Sequence, residues 1–305
     1  MTTRLYVILA RQARVAAVLR RGPTRQVLLI RWNLADDTFE AGQWFNGRVY
    51  ERRCDLSPSG DRFIYFAANH RPPLGTWTAV SRLPYFTALA LWPKGDAWGG
   101  GGLFRTDDEI LVNHQESQMV MQGLALPKQI SISQTAYAGG GEDSPIHDER
   151  RRRDGWICAD EGEWDGHTFA GPMAFRAATP ETWTRPCPAH PRIMLRARTL
   201  GVGERQGPWY VMDYDLLDAN GEFDRDLGRI DWADWDSTGD LLVAAEGKLY
   251  RHTPQPSGAF DAEPRVLIDI SDLRFEQLPP PVEATRWTGA RPRGVKLPSE
   301  AEPTS

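Results

Sequence analysis

The sequence predicts an all-β protein, and three observations carry the prediction. The 305 residues include 28 Gly and 23 Pro, about a sixth of the chain, which is too much punctuation for a helical bundle or coiled coil. Few segments repeat apolar residues at i, i+3, i+4 and i+7 over three turns; short apolar runs recur between turn residues instead. Hydrophobic residues make up 41% and aromatics 10%, with 12 Trp, so a sizeable core is expected rather than a disordered chain. The length suits one large all-β domain or two ordinary ones.

The elements follow in order. Ala13–Leu19 and Gln26–Trp32 are β-rich runs separated by Gly22-Pro23, where Pro removes a donor and Gly disfavours a continuing helix, so they read as a hairpin. Cys54-Asp55-Leu56 leads through Ser57-Pro58-Ser59-Gly60-Asp61 into Arg62–Ala67. Pro58 pre-sets φ for the first central turn position, Gly60 can take the positive φ that closes the turn, and Ser57 can bond the turn backbone. The run that follows is β-branched and aromatic, as a strand requires. Ala88–Trp92 meets Pro93-Lys94-Gly95-Asp96 in a similar unit. Tyr210–Leu217 precedes Asp218–Glu222, whose Asn220-Gly221 pair is a hairpin signal. Asp231–Asp236 meets Ser237–Asp240 and then Leu241–Ala245, and Glu246-Gly247 turns the chain into Lys248–Arg251.

Gly60 and Gly95 are 35 residues apart, and Gly95 and Gly239 are 144 apart, room for three or four further units of 40–50 residues. Repeats of that size built from antiparallel strands are the signature of a β-propeller. Leu56–Phe66 resembles the Leu-Ser-Pro-Asp-Gly-Lys hairpin of WD40-like propellers of the TolB-related group, and Asp236–Val243 resembles it again. About 40 residues carry the resemblance. It implies a toroid of four-stranded blades and brings no catalytic residue with it. A single hairpin cannot bury both its faces, whereas radial stacking buries each sheet against the next. Most of the twelve Trp side chains are therefore expected in inter-blade seams. The expected fold is a propeller of five to seven blades over residues 1–277, with the opening hairpin placed to close the ring. Residues 278–305 are Pro-rich and poor in apolar groups, and read as a tail that is disordered or lies along the surface.

Charge narrows the partners. Lys+Arg is 36 and Asp+Glu 41, a net charge of -5, so no global positive field draws nucleic acid or an anionic membrane. The run Arg150–Arg153 is flanked by Asp148, Glu149 and Asp154 and reads as a solvated loop. No stretch approaches the length of a membrane helix, and Arg11 and Arg14 interrupt the N-terminal apolar run too early for a signal-peptide core. Cys54, Cys158 and Cys187 are odd in number and scattered, which suggests neither a disulfide framework nor a zinc spacing and fits reduced thiols in a cytoplasm.

Gly99–Gly102 lacks the Gly-Lys-Ser/Thr ending of a phosphate loop and is expected to be a flexible or bulged hairpin, and Gly139–Gly141 is set aside on the same ground. None of the six His lies within five residues of another, so no local metal pair exists, and neither a cofactor nor a metal is expected. The densest polar-aromatic stretch is Asp160, Glu161, Glu163, Trp164, Asp165 and His167; a second contains Asp231 and Asp234. Carboxylates beside Trp and His suit a sugar-binding or acid/base cleft, because the ring stacks on a pyranose while a carboxylate acts as acid or nucleophile. Exposed acidic loops and strands account for the same residues without chemistry. The leading expectation is a non-catalytic binding or scaffold module for another protein in a cytoplasmic complex. A propeller hydrolase, glycosidase-type or metal-dependent lactonase-type, is the alternative.

Overall fold

The computed structural model describes residues 3–22, 25–165, 172–218, 220–254 and 263–300. Among the described residues, strands hold 48% and helix 7%, so the protein is all-β, built from several antiparallel sheets. It divides into two compact units: the first takes Tyr6–Arg150 and Asp272–Ser305, the second Met1–Leu5 and Arg151–Ser271. Among the described residues, no helix is long and apolar enough to cross a membrane.

In the first unit, β1 (Arg4–Leu9), β2 (Val15–Arg21), β3 (Gln26–Asn33) and β4 (Thr38–Asn46) form a sheet in chain order, with β1 crossing the division between units at Leu5. The expected hairpin is present as the β2–β3 pair, with Val18 opposite Ile30; Pro23 of its turn lies outside the described residues. Trp32 and Phe39 stack across β3 and β4 at 5.4 Å. The next sheet holds β5 (Arg48–Val49), β6 (Asp55–Leu56), β7 (Arg62–Ala68), β8 (Thr76–Arg82) and β9 (Ala88–Pro93). A third contains β10 (Gly102–Phe104), β11 (Glu109–Val112) and, beyond β12 (Gln122–Gly123), β13 (Ser131–Gln134). Strand β12 itself returns to pair with β9 and ends the second sheet.

Helix α1 (Ser144–Arg153) carries the chain from the first unit into the second. There β14 (Ile157–Asp160), β15 (Glu163–Trp164), β16 (Met173–Pro186), β17 (Met194–Glu204), β18 (Tyr210–Leu217) and β19 (Phe223–Gly228) form one sheet, and β20 (Trp232–Trp235), β21 (Leu241–Ala245), β22 (Lys248–His252) and β23 (Arg265–Asp269) another. The second unit's core centres on Trp183, Trp235, Leu195, Leu216 and Leu241, all fully buried.

The two turns singled out in the sequence share one design. Gly60 N–H donates to Ser57 O at 2.8 Å with φ +75°, while Ser57 Oγ accepts from Asp61 and Arg62 N–H. Gly239 N–H likewise donates to Asp236 O with φ +93°, while Asp236 Oδ1 accepts from Thr238 and Asp240 N–H. Each satisfies its backbone groups locally. The Asn-Gly unit also closes as read, with Asp218 N–H on Glu222 O at 2.8 Å.

Three expectations change. After β9, Lys94–Gly101 is a loop into a different sheet rather than a hairpin. Gly99–Gly102 is buried and tightly packed, not flexible. Arg150–Arg153 ends α1 instead of a solvated loop, with Arg150 and Arg151 buried. The reason is that their guanidinium groups find rings and carbonyls remote in sequence. Arg150 lies over the Tyr6 ring and donates to Tyr6 Oη and Cys54 O; Arg151 lies over both Trp156 and Trp183 at 5.3 Å. Most of the Trp side chains are buried as expected, namely Trp32, Trp77, Trp92, Trp156, Trp183, Trp232, Trp235 and Trp287, while Trp98, Trp164 and Trp209 are exposed.

The Pro-rich C-terminal segment, as far as Glu300, belongs to the first unit, where β24 (Val295–Leu297) pairs with β4. Trp287 is buried among Ile64, Val80, Leu89 and Trp92, and Tyr85 Oη donates to Arg293 O at 2.6 Å. Arg291 forks onto Glu40 at 2.6 and 3.0 Å; burial works against the Glu40 carboxylate, but this pairing holds it below its ordinary range.

Candidate functional site

Three loops of the first unit converge because of strand register. β11 runs parallel to β13 with Val112 opposite Gln134, so Asn113–Gln118 and Thr135–Asp143 leave the sheet at the same end. β10 is antiparallel to β11, with Gly102 opposite Val112, so Lys94–Gly101 enters at that end too.

Glycine makes the close approach possible. Gly99 and Gly101 have φ of +69° and +78°, in the left-handed region. A Cβ on Gly99 would lie 2.1 Å from Gly139 O, and one on Gly101 would lie 2.2 Å from Arg53 O. Gly99 N–H donates to Gly141 O at 2.6 Å, Gly100 N–H to Asn113 O at 2.9 Å, and Asn113 N–H to Gly101 O at 2.8 Å. The buried Asn113 side chain accepts from Thr135 Oγ1 and Gly139 N–H, both at 2.9 Å, and donates to Gly140 O at 3.2 Å. Arg53 completes the knot, donating to Ala97 O, to Gly99 O and to the Asp143 carboxylate.

His114 sits at the centre with no exposure. Gly101 N–H donates to Thr78 Oγ1 at 2.8 Å, and Thr78 Oγ1 lies 2.8 Å from His114 Nε2. Gln118 O lies 3.4 Å from Nδ1 and can only accept, so the neutral ring carries its proton on Nδ1 and the Thr hydroxyl donates to Nε2. Burial, aided by the positive charge of Lys94, lowers the imidazole pKa to about 4. The ring is neutral and sealed, which suits holding loops rather than exchanging protons with a substrate. Lys94 is buried as well, with Nζ at 2.8 and 2.9 Å from the two Asp96 oxygens. Asp96 also accepts from Trp98 N–H at 2.8 Å; burial opposes its charge, yet these bonds keep its pKa below the ordinary range.

On the outside of this knot stand two aromatic side chains, Trp98 at 57% and Tyr137 at 39% exposure. One residue on from Trp98, Gly99 touches Gly139, two residues on from Tyr137. Val120 is also exposed; it precedes β12, which runs antiparallel along β9 with Gln122 opposite Leu91. The arrangement presents large apolar groups on loops that glycine packing and buried hydrogen bonds have already fixed.

The residues singled out in the sequence lie elsewhere. β14 and β15 pair with the outer side of β16, and Asp160, Glu161, Glu163, Trp164 and Asp165 are all exposed there. Asp160 Oδ1 accepts from Gly162 N–H at 2.8 Å, a local turn bond. His167 lies outside the described residues. Asp231 accepts from Leu5 N–H at 3.1 Å. Asp234 is buried and accepts from Arg185, from Trp156 Nε1 at 3.3 Å and from Trp235 N–H at 2.8 Å. Asp231 and Asp234 therefore hold the second unit together. Among the described residues, no group of three or more His, Cys, Asp or Glu is placed to hold a metal ion. Sequence reasoning missed Thr78, Asn113, His114 and Tyr137; the adjacency of Trp98 to the glycine run was the one local signal pointing to this end of the sheet.

No family model matches the chain, and no curated protein matches it.

Proposed function

We propose that this protein is a non-catalytic binding module, that its successive sheets are blades of a β-propeller, and that the face bearing Trp98 and Tyr137 docks another protein. The blade reading is supported by five sheets among the described residues, each including antiparallel neighbours that follow one another in the chain, and by the two matching turns at Ser57–Asp61 and Asp236–Asp240. Within the second unit, Thr3 Oγ1 donates to Ser271 O at 3.0 Å and Leu5 N–H to Asp231, which ties the start of the chain to the end of its last sheet, as ring closure requires.

One observation carries the functional reading: two large aromatic side chains stand exposed on loops with little freedom left to lose. Trp and Tyr dominate the energetics of protein interfaces, and a preordered loop costs less to bind than a mobile one. The hydrolase alternative draws less support, since the carboxylates proposed for it line an exposed edge or serve as buried structural acceptors.

Photo-cross-linking tests the reading. A benzoylphenylalanine at Ala97 or Ala136, the exposed neighbours of Trp98 and Tyr137, is expected to trap one discrete protein in cells, and the same group at exposed Phe223 in the second unit is not. Equal or absent labelling at all three positions contradicts it.

A further inference from the structure

The three converging loops have a charge pattern as well as an aromatic one. Each offers an exposed carboxylate: Asp96 beside Trp98, Glu116 after Gln115, and Glu142 after Gly141. Lys94 is the single Lys or Arg in Lys94–Gly101, Asn113–Gln118 and Thr135–Asp143. Its side chain is only 2% exposed and is committed to Asp96. His114 adds no charge at neutral pH, because it is held neutral. The remaining acid, Asp143, is buried against Arg53 and does not face solvent. What the three loops offer a partner is therefore two exposed aromatic side chains and exposed carboxylates, with no exposed cation of their own.

We infer that the segment docked on this face is basic, with a Lys or Arg side chain laid over Trp98 or Tyr137 and its neighbours facing Glu116 and Glu142. This rests on the proposed binding role and specifies its partner. An aromatic face attracts a cation through its quadrupole, and the nearby carboxylates add to that field while repelling acidic segments. The indole and phenol also cover the aliphatic stem of a Lys or Arg, so apolar contact and charge act on one side chain. An exposed rim of this kind chiefly raises association rate, and does so less as salt screens it.

The test uses the full chain labelled with 5-fluorotryptophan, in which Trp98→Phe identifies the Trp98 resonance. The probes are a short peptide of lysine, arginine, leucine and glycine, and its counterpart with glutamate and aspartate in place of the cations. The basic peptide is expected to shift the Trp98 resonance saturably and to bind at least about tenfold more tightly than the acidic one. The Glu116→Gln/Glu142→Gln variant, which leaves the buried pairs intact, is expected to weaken it about three- to tenfold, as is a rise in salt from about 0.1 to about 0.5 M. Equal response to both peptides, or none, overturns the inference, as does an affinity unchanged in the double variant. Mapping the cross-linked segment by mass spectrometry separates the two claims. A neutral or acidic segment trapped at Ala97 sinks the basic-partner inference while the binding role stands; no adduct sinks both.

Discussion

Thr78 Oγ1 and His114 Nε2 lie 2.8 Å apart in the buried centre of the first unit, where burial holds the imidazole neutral. Gln118 O, which can only accept, faces Nδ1 at 3.4 Å, so the neutral ring carries its proton on Nδ1 and Thr78 donates to Nε2. A proton added to the ring would place a charge in a buried site with the positive Lys94 nearby.

The consequence for pH dependence has a definite sign. His114 titrates at about 4 in the fold against 6.5 in an unconstrained chain. Above pH 6.5 neither state is protonated there and stability is complete. As pH falls from 6.5 towards 4 the unfolded chain takes up a proton the folded one refuses, and stability drops; below 4 this loss is constant. The full loss is at most about 3 kcal/mol. Urea unfolding midpoints between pH 7 and pH 4 are expected to fall less steeply in His114→Gln than in the wild type. Parallel curves would remove His114 from the account.

Two glycines with similar backbone angles separate strain from crowding. Gly95 has φ +85° and nothing within 4 Å of a built Cβ, whereas Gly101 has φ +78° and Arg53 O at 2.2 Å. Gly95→Ala is expected to cost about 1 kcal/mol, the left-handed penalty alone. Gly101→Ala should cost about 3–5 kcal/mol, because backbone must also move. Denaturant unfolding of the pair measures the difference; equal costs would mean the loops are not locked as described.

Asp234 and Arg185 make a largely buried pair with side chains 12% and 19% exposed. Asp234→Ala leaves Arg185 and Trp156 Nε1 without that acceptor and is expected to cost about 2–3 kcal/mol, discounted for the partial exposure of the arginine. Calorimetric unfolding should show this loss, with peptide binding at Trp98 unchanged. A binding defect without a stability loss would return Asp234 to the functional surface.

The C-terminal segment can be tested at Trp287, whose ring is buried while its Nε1 has no hydrogen-bond partner among the described residues. Trp287→Ala is expected to cost about 3–5 kcal/mol, and Trp287→Phe much less, since no hydrogen bond is lost. Thermal unfolding of both variants checks this; a silent Trp287→Ala would mean the segment adds nothing to the core.

What could be read from the sequence was what the chain settles locally. The turns at Ser57–Asp61 and Asp236–Asp240 were legible because a Ser or Asp and a Gly within five residues satisfy one another. Gly99–Gly102 was not, because its constraint comes from Arg53 and Gly139, some 40 residues away on either side. The same holds for Arg150 and Arg151, whose flanking acids suggested solvent while Tyr6, Cys54 and Trp183 supplied the burial. The acidic stretch around Trp164 was conspicuous in the sequence and lies on an exposed edge; the candidate face is built on a Trp and a Tyr whose importance depends on three loops meeting.

The central claim is that Trp98 and Tyr137 form the docking surface. Its most direct measurement is calorimetric titration of the cross-linked partner, once purified, against the wild type and Trp98→Ala/Tyr137→Ala. The account predicts a loss of affinity of about a hundredfold or more at unchanged thermal stability. Undiminished affinity in the double variant would contradict it.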